Sequence, residues 1–400
     1  MANGPVRPLV LALCLSCLAV SGAAERHPQD TASPDLRAHE WGTFTSVAGR
    51  SGQAVGWSPL GGSSDLPSFV EHFRSADFKI QLRGTVRMET PVLYFYSPRA
   101  MNVSVNVGFP HGLITEWYPH ATRTEPRAEA QLDNDALYKH HYRAGIAWDS
   151  VDLAPDTMEN FAAGEPGSRY YAARETSATP LSVKTAKGTQ FEKFLFYRGV
   201  ANFKPPVAAS VTPDGKIAVR NLTAYAVPAV LLVERRGDRF GYRLAGGVEK
   251  DAVLDQPDLG PISDQAMSDL ESVLEAQGLY LDEARAMIKT WADSWQEEGS
   301  RLFYIVPRSV VDEILPLRIE PRPVQTVRVF VGRVELITPA TEKAVETALA
   351  NHDRDTIDMY GRFLEPIMEQ LKAENPGRAQ ELEKELMATW NVQPRARNRN

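Results

Sequence analysis

Cysteine is almost absent from this chain. Its 400 residues include two, Cys14 and Cys17, and both lie within the first 24. That segment carries Arg7, an apolar run from Leu9 to Val20, and then Ser21, Gly22, Ala23 and Ala24. Basic start, apolar middle and small-residue end form the pattern of a secretory signal peptide, with cleavage expected near Ala24. Cleavage there would leave no thiol, which excludes disulfide stapling, a cysteine nucleophile and cysteine-ligated zinc. A secreted or periplasmic location follows from the same reading. The competing reading is a lipid anchor at Cys17, which Ser16 suits and Cys14 and Leu15 do not.

Long apolar runs are missing as well. The leader's run of about 12 residues falls short of the roughly 20 that a membrane-spanning helix needs, and no later stretch reaches that length. An excess of basic charge is also lacking: 44 Lys and Arg stand against 51 Asp and Glu, a formal net charge of −7. Such a chain has no general attraction for phosphate backbones, so nucleic acid is not an expected partner. No Gly-x-Ser-x-Gly elbow, no Gly-x-Gly-x-x-Gly turn opening a helix and no His-Glu-x-x-His helix occurs. A serine-hydrolase elbow, a nucleotide cofactor and a zinc-protease helix are thereby unsupported, and no other cofactor is specified.

The sequence does contain ordinary globular material, with hydrophobic residues at 43% and charged residues at 24%. Mean hydropathy is −0.31. Residues 25–38 are polar and read as a flexible leader. From 39 to 255 the dominant period is two. Met101, Val103, Val105 and Val107 alternate with polar residues, the mark of a half-buried strand. Thr85–Tyr96 is β-branched and aromatic but interrupted by Pro91, which predicts an edge or bulged strand. Leu113–Tyr118, Phe191–Tyr197, Val230–Glu234 and Phe240–Leu244 read as further strands. Pro213-Asp214-Gly215 has turn chemistry. An internal break is expected near 121–180, a long polar stretch.

From 256 to 390 the period changes to 3.6. Leu281, Ala284, Ile288, Trp291 and Trp295 form one helical stripe, with further helices expected over 341–350, 354–373 and 377–390. Residues 391–400 read as a disordered tail. The expected class is α+β: a β-rich, sandwich-like N-terminal region followed by a mixed α/β, mainly helical C-terminal region.

Candidate chemistry concentrates in the β-rich region. Glu40, Glu89 and Glu116 are carboxylates set in apolar and aromatic strand sequence, where desolvation would suit a general acid. With Trp41, Trp117 and Trp148 as stacking surfaces, they predict a carbohydrate-active hydrolase using paired carboxylates. Strand alternation alone would also let those glutamates face water. A second reading is a non-catalytic envelope or secreted protein that binds a polysaccharide or a protein. A third is a metal-dependent hydrolase held by His39, His111 and His120, although their spacing matches no ligand pattern. Trp291 and Trp295, four residues apart on the helical stripe, are expected in the core.

Overall fold

The computed structural model describes residues 33–59, 66–73, 82–128, 130, 144–157 and 160–391, all within one compact unit. The expected signal peptide, the Cys17 anchor and the tail beyond 391 lie outside them. The first half supplies β1 (Ser33–Ala48), β2 (Glu71–His72), β3 (Val86–Tyr96), β4 (Met101–Phe109), β5 (Gly112–Tyr118), β6 (Arg123–Glu125) and β7 (Ala144–Leu153). Then come a 3₁₀ turn (Arg169–Arg174), β8 (Leu181–Thr185), β9 (Gly188–Glu192), β10 (Phe194–Ala201), β11 (Val207–Val211) and β12 (Ile217–Asn221). A hairpin of β13 (Val230–Arg236) and β14 (Arg239–Ala245) precedes β15 (Asp251–Leu254) and β16 (Gly260–Pro261).

Helices dominate thereafter. They are α1 (Gln265–Ala276), α2 (Leu281–Trp295), α3 (Arg308–Ile314), α4 (Pro339–Ala350), α5 (Arg354–Met359), α6 (Gly361–Glu374) and α7 (Pro376–Asn391). Among them run β17 (Gly299–Ile305), β18 (Leu317–Glu320) and β19 (Pro323–Leu336). The fold is α+β, β-rich first and helix-rich last.

A ten-stranded sheet in the order β16-β14-β13-β17-β19-β1-β3-β10-β5-β2 forms the spine. Two smaller sheets, built on β4, β7, β8, β9 and β18 and on β11, β12 and β15, complete the β structure. Alternation along β1 divides the cores. Leu36, Ala38 and Phe44 join Val105, Trp148, Ala209 and Val219 of the smaller sheets. Trp41 joins Val92, Phe196 and Val329 beneath Met267, Met287, Trp291 and Trp295 of α1 and α2. Of the stripe predicted for α2, Ala284, Trp291 and Trp295 are core, Ile288 is partly buried and Leu281 at the helix start is exposed. A third cluster packs Phe363, Ile367 and Leu382 of the C-terminal helices on Val47 and Trp57.

Two expectations need correction, and a third is met in one of its two forms. The leader does not extend to residue 38, because β1 begins at Ser33 and its polar start is paired to β19. The change of period near 255 is not a boundary between separate sheets, since β17 and β19 complete the sheet that β1 begins. Of the two forms expected for β3, an edge or a bulged strand, the structure shows the bulged one, central in the sheet. Its lost Pro91 donor is absorbed by a register shift where β1 passes from Trp41 to Thr43, as proline in an inner strand requires.

Candidate functional site

That register shift has neighbours. β10 shifts against β3 between Phe196 and Gly199, and β5 against β10 at the step from Arg198 to Gly199. Three irregularities thus cross adjacent strands side by side, an arrangement that re-aims side chains and is enriched beside functional sites. Thr90 holds φ at +40°, a conformation that costs a β-branched residue about 1–3 kcal/mol. Gly199 is demanded by close approach, because a Cβ there would lie 2.1 Å from the Leu113 carbonyl oxygen.

The predicted carboxylates are distributed by these strands. Glu40 is fully buried toward the smaller sheets, where Arg328 Nε donates to it at 2.6 Å and the Tyr197 hydroxyl also donates. Glu116 pairs in register with Arg198, on the helix-facing side with Tyr118 and Phe196. Arg198 grips it through Nη2 at 2.8 Å and Nε at 3.2 Å. Glu89 pairs in register with Thr43, accepts from the Thr45 hydroxyl at 3.2 Å and meets Arg87 Nε at 3.1 Å. Glu40 therefore lies on the opposite face of the sheet from Glu89 and Glu116. Each of the three is occupied by an arginine, and they do not converge on one cleft.

The predicted stacking surfaces are enclosed. Trp41 and Trp148 are 0% exposed and Trp117 is 3% exposed. A stacking platform needs an open ring face, so these indoles are corrected to core roles. Trp148 spends its Nε1–H on the Pro119 carbonyl at 2.9 Å. The predicted ligands His39, His111 and His120 are not brought together either. His39 is buried against Glu283 at 2.9 Å. His111 and His120 flank opposite ends of β5, which at about 3.3 Å per residue sets them about 20 Å or more apart. Among the described residues no group of three His, Cys, Asp or Glu side chains is placed to hold a metal ion.

One site does combine predicted residues with access. A cleft of about 1120 Å³ lies along the β2–β5 edge, lined by Phe69, Glu71, His72, Trp117, His120 and Gln190, among others. Arg123, Thr124 and Glu125 of β6, Arg127, and Thr185 and Lys187 of the β8–β9 turn complete its wall. Glu71 organises it. Its carboxylate accepts from the Trp117 indole at 3.1 Å and meets His120 Nδ1 at 2.9 Å. An ionised carboxylate only accepts, so Nδ1 is the donor here, and in the neutral imidazole Nε2 then holds the lone pair. The His120 backbone N–H donates to Gln190 Oε1 at 2.6 Å, fixing the histidine from a second side. Glu116 lies directly behind, paired in register with His72.

The electrostatics of this cleft depart from those of the whole chain. Among the described residues Arg123, Arg127 and Lys187 form no ion pair, and Glu71 is already engaged by His120. Burial, followed by the Glu192 carboxylate, pushes the Tyr118 phenol up to about 12, so it stays neutral beneath the cleft. Behind Phe69, Arg174 lies 2.7 Å from the buried Glu192 and beneath the Tyr171 ring at 4.9 Å. Glu71, Gln190, Arg123, Arg127 and Lys187 carry no individual signal in the sequence. The polar stretch from 121 onward was the one hint, as long connecting segments are enriched in function. Compared with known proteins, the chain matches no protein-family model and no curated protein.

Proposed function

We propose that this chain is an exported protein that binds an acidic carbohydrate polymer in the β2–β5 cleft. The observation that carries the reading is the cleft itself: three cations that form no ion pair among the described residues, beside Ser68, Thr122, Thr124, Thr185 and Gln190. The cations suit carboxylates or sulfates, and the hydroxyl and amide groups suit sugar hydroxyls. Phe69, half-buried, is the aromatic surface of the wall. The export pattern of residues 1–24 supports encounter with such polymers outside the cytoplasm. No helix of the described residues is long and apolar enough to cross a membrane.

A glycosidase built on Glu40, Glu89 and Glu116 is not the favoured reading, because each carboxylate is buried and held by its own arginine.

Binding of polygalacturonate and of neutral dextran by the full chain, compared by affinity electrophoresis, tests the proposal. Polygalacturonate is expected to retard the protein and dextran to leave it unaffected. Combined Arg123→Ala, Arg127→Ala and Lys187→Ala should remove about 1–3 kcal/mol, or roughly 5- to 150-fold in affinity. Equal retardation of parent and triple variant would refute it.

A further inference from the structure

The geometry of the same cleft reaches past binding. Resting on the acidic-polymer reading, we infer that His120 is a catalytic base that cleaves the polymer by β-elimination at a uronate residue.

Three observations carry this. First, the base is oriented. Glu71 faces His120 Nδ1 with both oxygens, at 2.9 and 3.0 Å, and is itself held by the buried Trp117 indole. A carboxylate on Nδ1 fixes the tautomer whose free Nε2 accepts a proton, and it then stabilises the imidazolium that forms. Second, the ring is half exposed and lines the cleft, so a bound polymer can reach it. Third, Arg123, Arg127 and Lys187 line the same cleft. Abstracting a proton beside a carboxylate places negative charge on that carboxylate in the transition state, where a cation is most effective. Hydrolysis has less support here. It needs two carboxyl groups flanking the scissile bond, while this wall offers Glu71, already committed to His120 and Trp117, and Glu125.

The step balances without an oxidant or cofactor. The C5–H bond breaks and its proton passes to His120 Nε2. The released electron pair forms the C4=C5 double bond as the C4–O bond breaks. The leaving oxygen keeps that bond's pair and takes a proton from the imidazolium or from water. One new reducing end and one unsaturated uronate result. His120 is the catalytic residue, and Glu71 acts through it as a positioning residue.

The test supplies polygalacturonate and alginate to the full chain and follows the ultraviolet absorbance of the unsaturated product, with binding measured in parallel. Turnover by the parent is expected. In His120→Gln it should fall by about 100-fold or more, with polymer affinity and thermal midpoint unchanged. Glu71→Gln should lower kcat while leaving KM near the parent value, a split that a merely structural role would not produce. Polymer binding without unsaturated product, or equal turnover by His120→Gln, would overturn the catalytic inference and leave the binding reading standing. Absence of binding would overturn both.

Discussion

Glu335 offers the sharpest test of what holds the helical end to the sheet. It is fully buried in β19 and accepts from Arg333 Nε at 2.5 Å, Arg362 Nε at 2.9 Å and Arg301 Nε at 3.2 Å. Glu297 adds contacts to Arg333 and Arg362 at 3.1 and 3.2 Å but is only partly buried. Glu335→Gln keeps the shape and removes the charge, leaving Arg301 and Arg333 buried without their main counter-charge. Breaking such a pair costs about 3–5 kcal/mol, a large share of the roughly 5–15 kcal/mol that stabilises most domains.

Urea unfolding should show a lowered midpoint with an unchanged slope. The control is Arg220→Ala at the exposed Asp251 pair, where about 0–1 kcal/mol is expected. Burial alone would raise the Glu335 carboxyl, yet the guanidiniums of Arg301, Arg333 and Arg362 hold it well below the usual range near 4.5. A depressed folded value means the contribution is complete above about pH 4.5 and is lost as pH falls through the folded value. Glu335→Gln should therefore flatten the acid limb of the stability curve. A loss no greater than that of Arg220→Ala, with an unaltered acid limb, would refute the reasoning.

Two further substitutions probe the irregular strands. Gly199→Ala places a Cβ against the Leu113 backbone, so a loss of at least about 1–3 kcal/mol is expected in urea titration; wild-type stability would show that β5 and β10 are not so close. Thr90→Gly relieves the positive φ and should raise stability by about 0.5–1 kcal/mol, whereas a clear loss would mean that the Thr90 side chain matters more than its backbone.

Local pattern made much of the fold legible. The alternation of Met101–Val107 marks β4, Pro213-Asp214-Gly215 turns β11 into β12 with Gly215 at φ 84°, and the 3.6 stripe places Trp291 and Trp295 in the core. Long-range pairing was not legible. The arginine that fills Glu40 lies 288 residues away, and that of Glu116 lies 82 away. Nothing in the alternating context of either glutamate encodes such a partner. The same holds for Ser33–Ala38, polar in composition yet tied into the sheet by β19 and β3. Half of the Glu71–His120 pair was visible as a histidine. Its orienting carboxylate sits in a two-residue strand too short to carry any periodicity.

The parallel ladder between β1 and β19 sets an order of assembly. Glu40 pairs with Arg328 and Ala48 with Leu336, so one of the earliest strands to leave the ribosome has its neighbour among the last. Until residue 336 emerges, β1 has one bare edge and the sheet remains in two incomplete halves. Strand pairings so distant in sequence fold slowly, and unpaired edges invite association between chains. The edge of β1 that receives β19 is therefore the one this sheet leaves bare longest during synthesis.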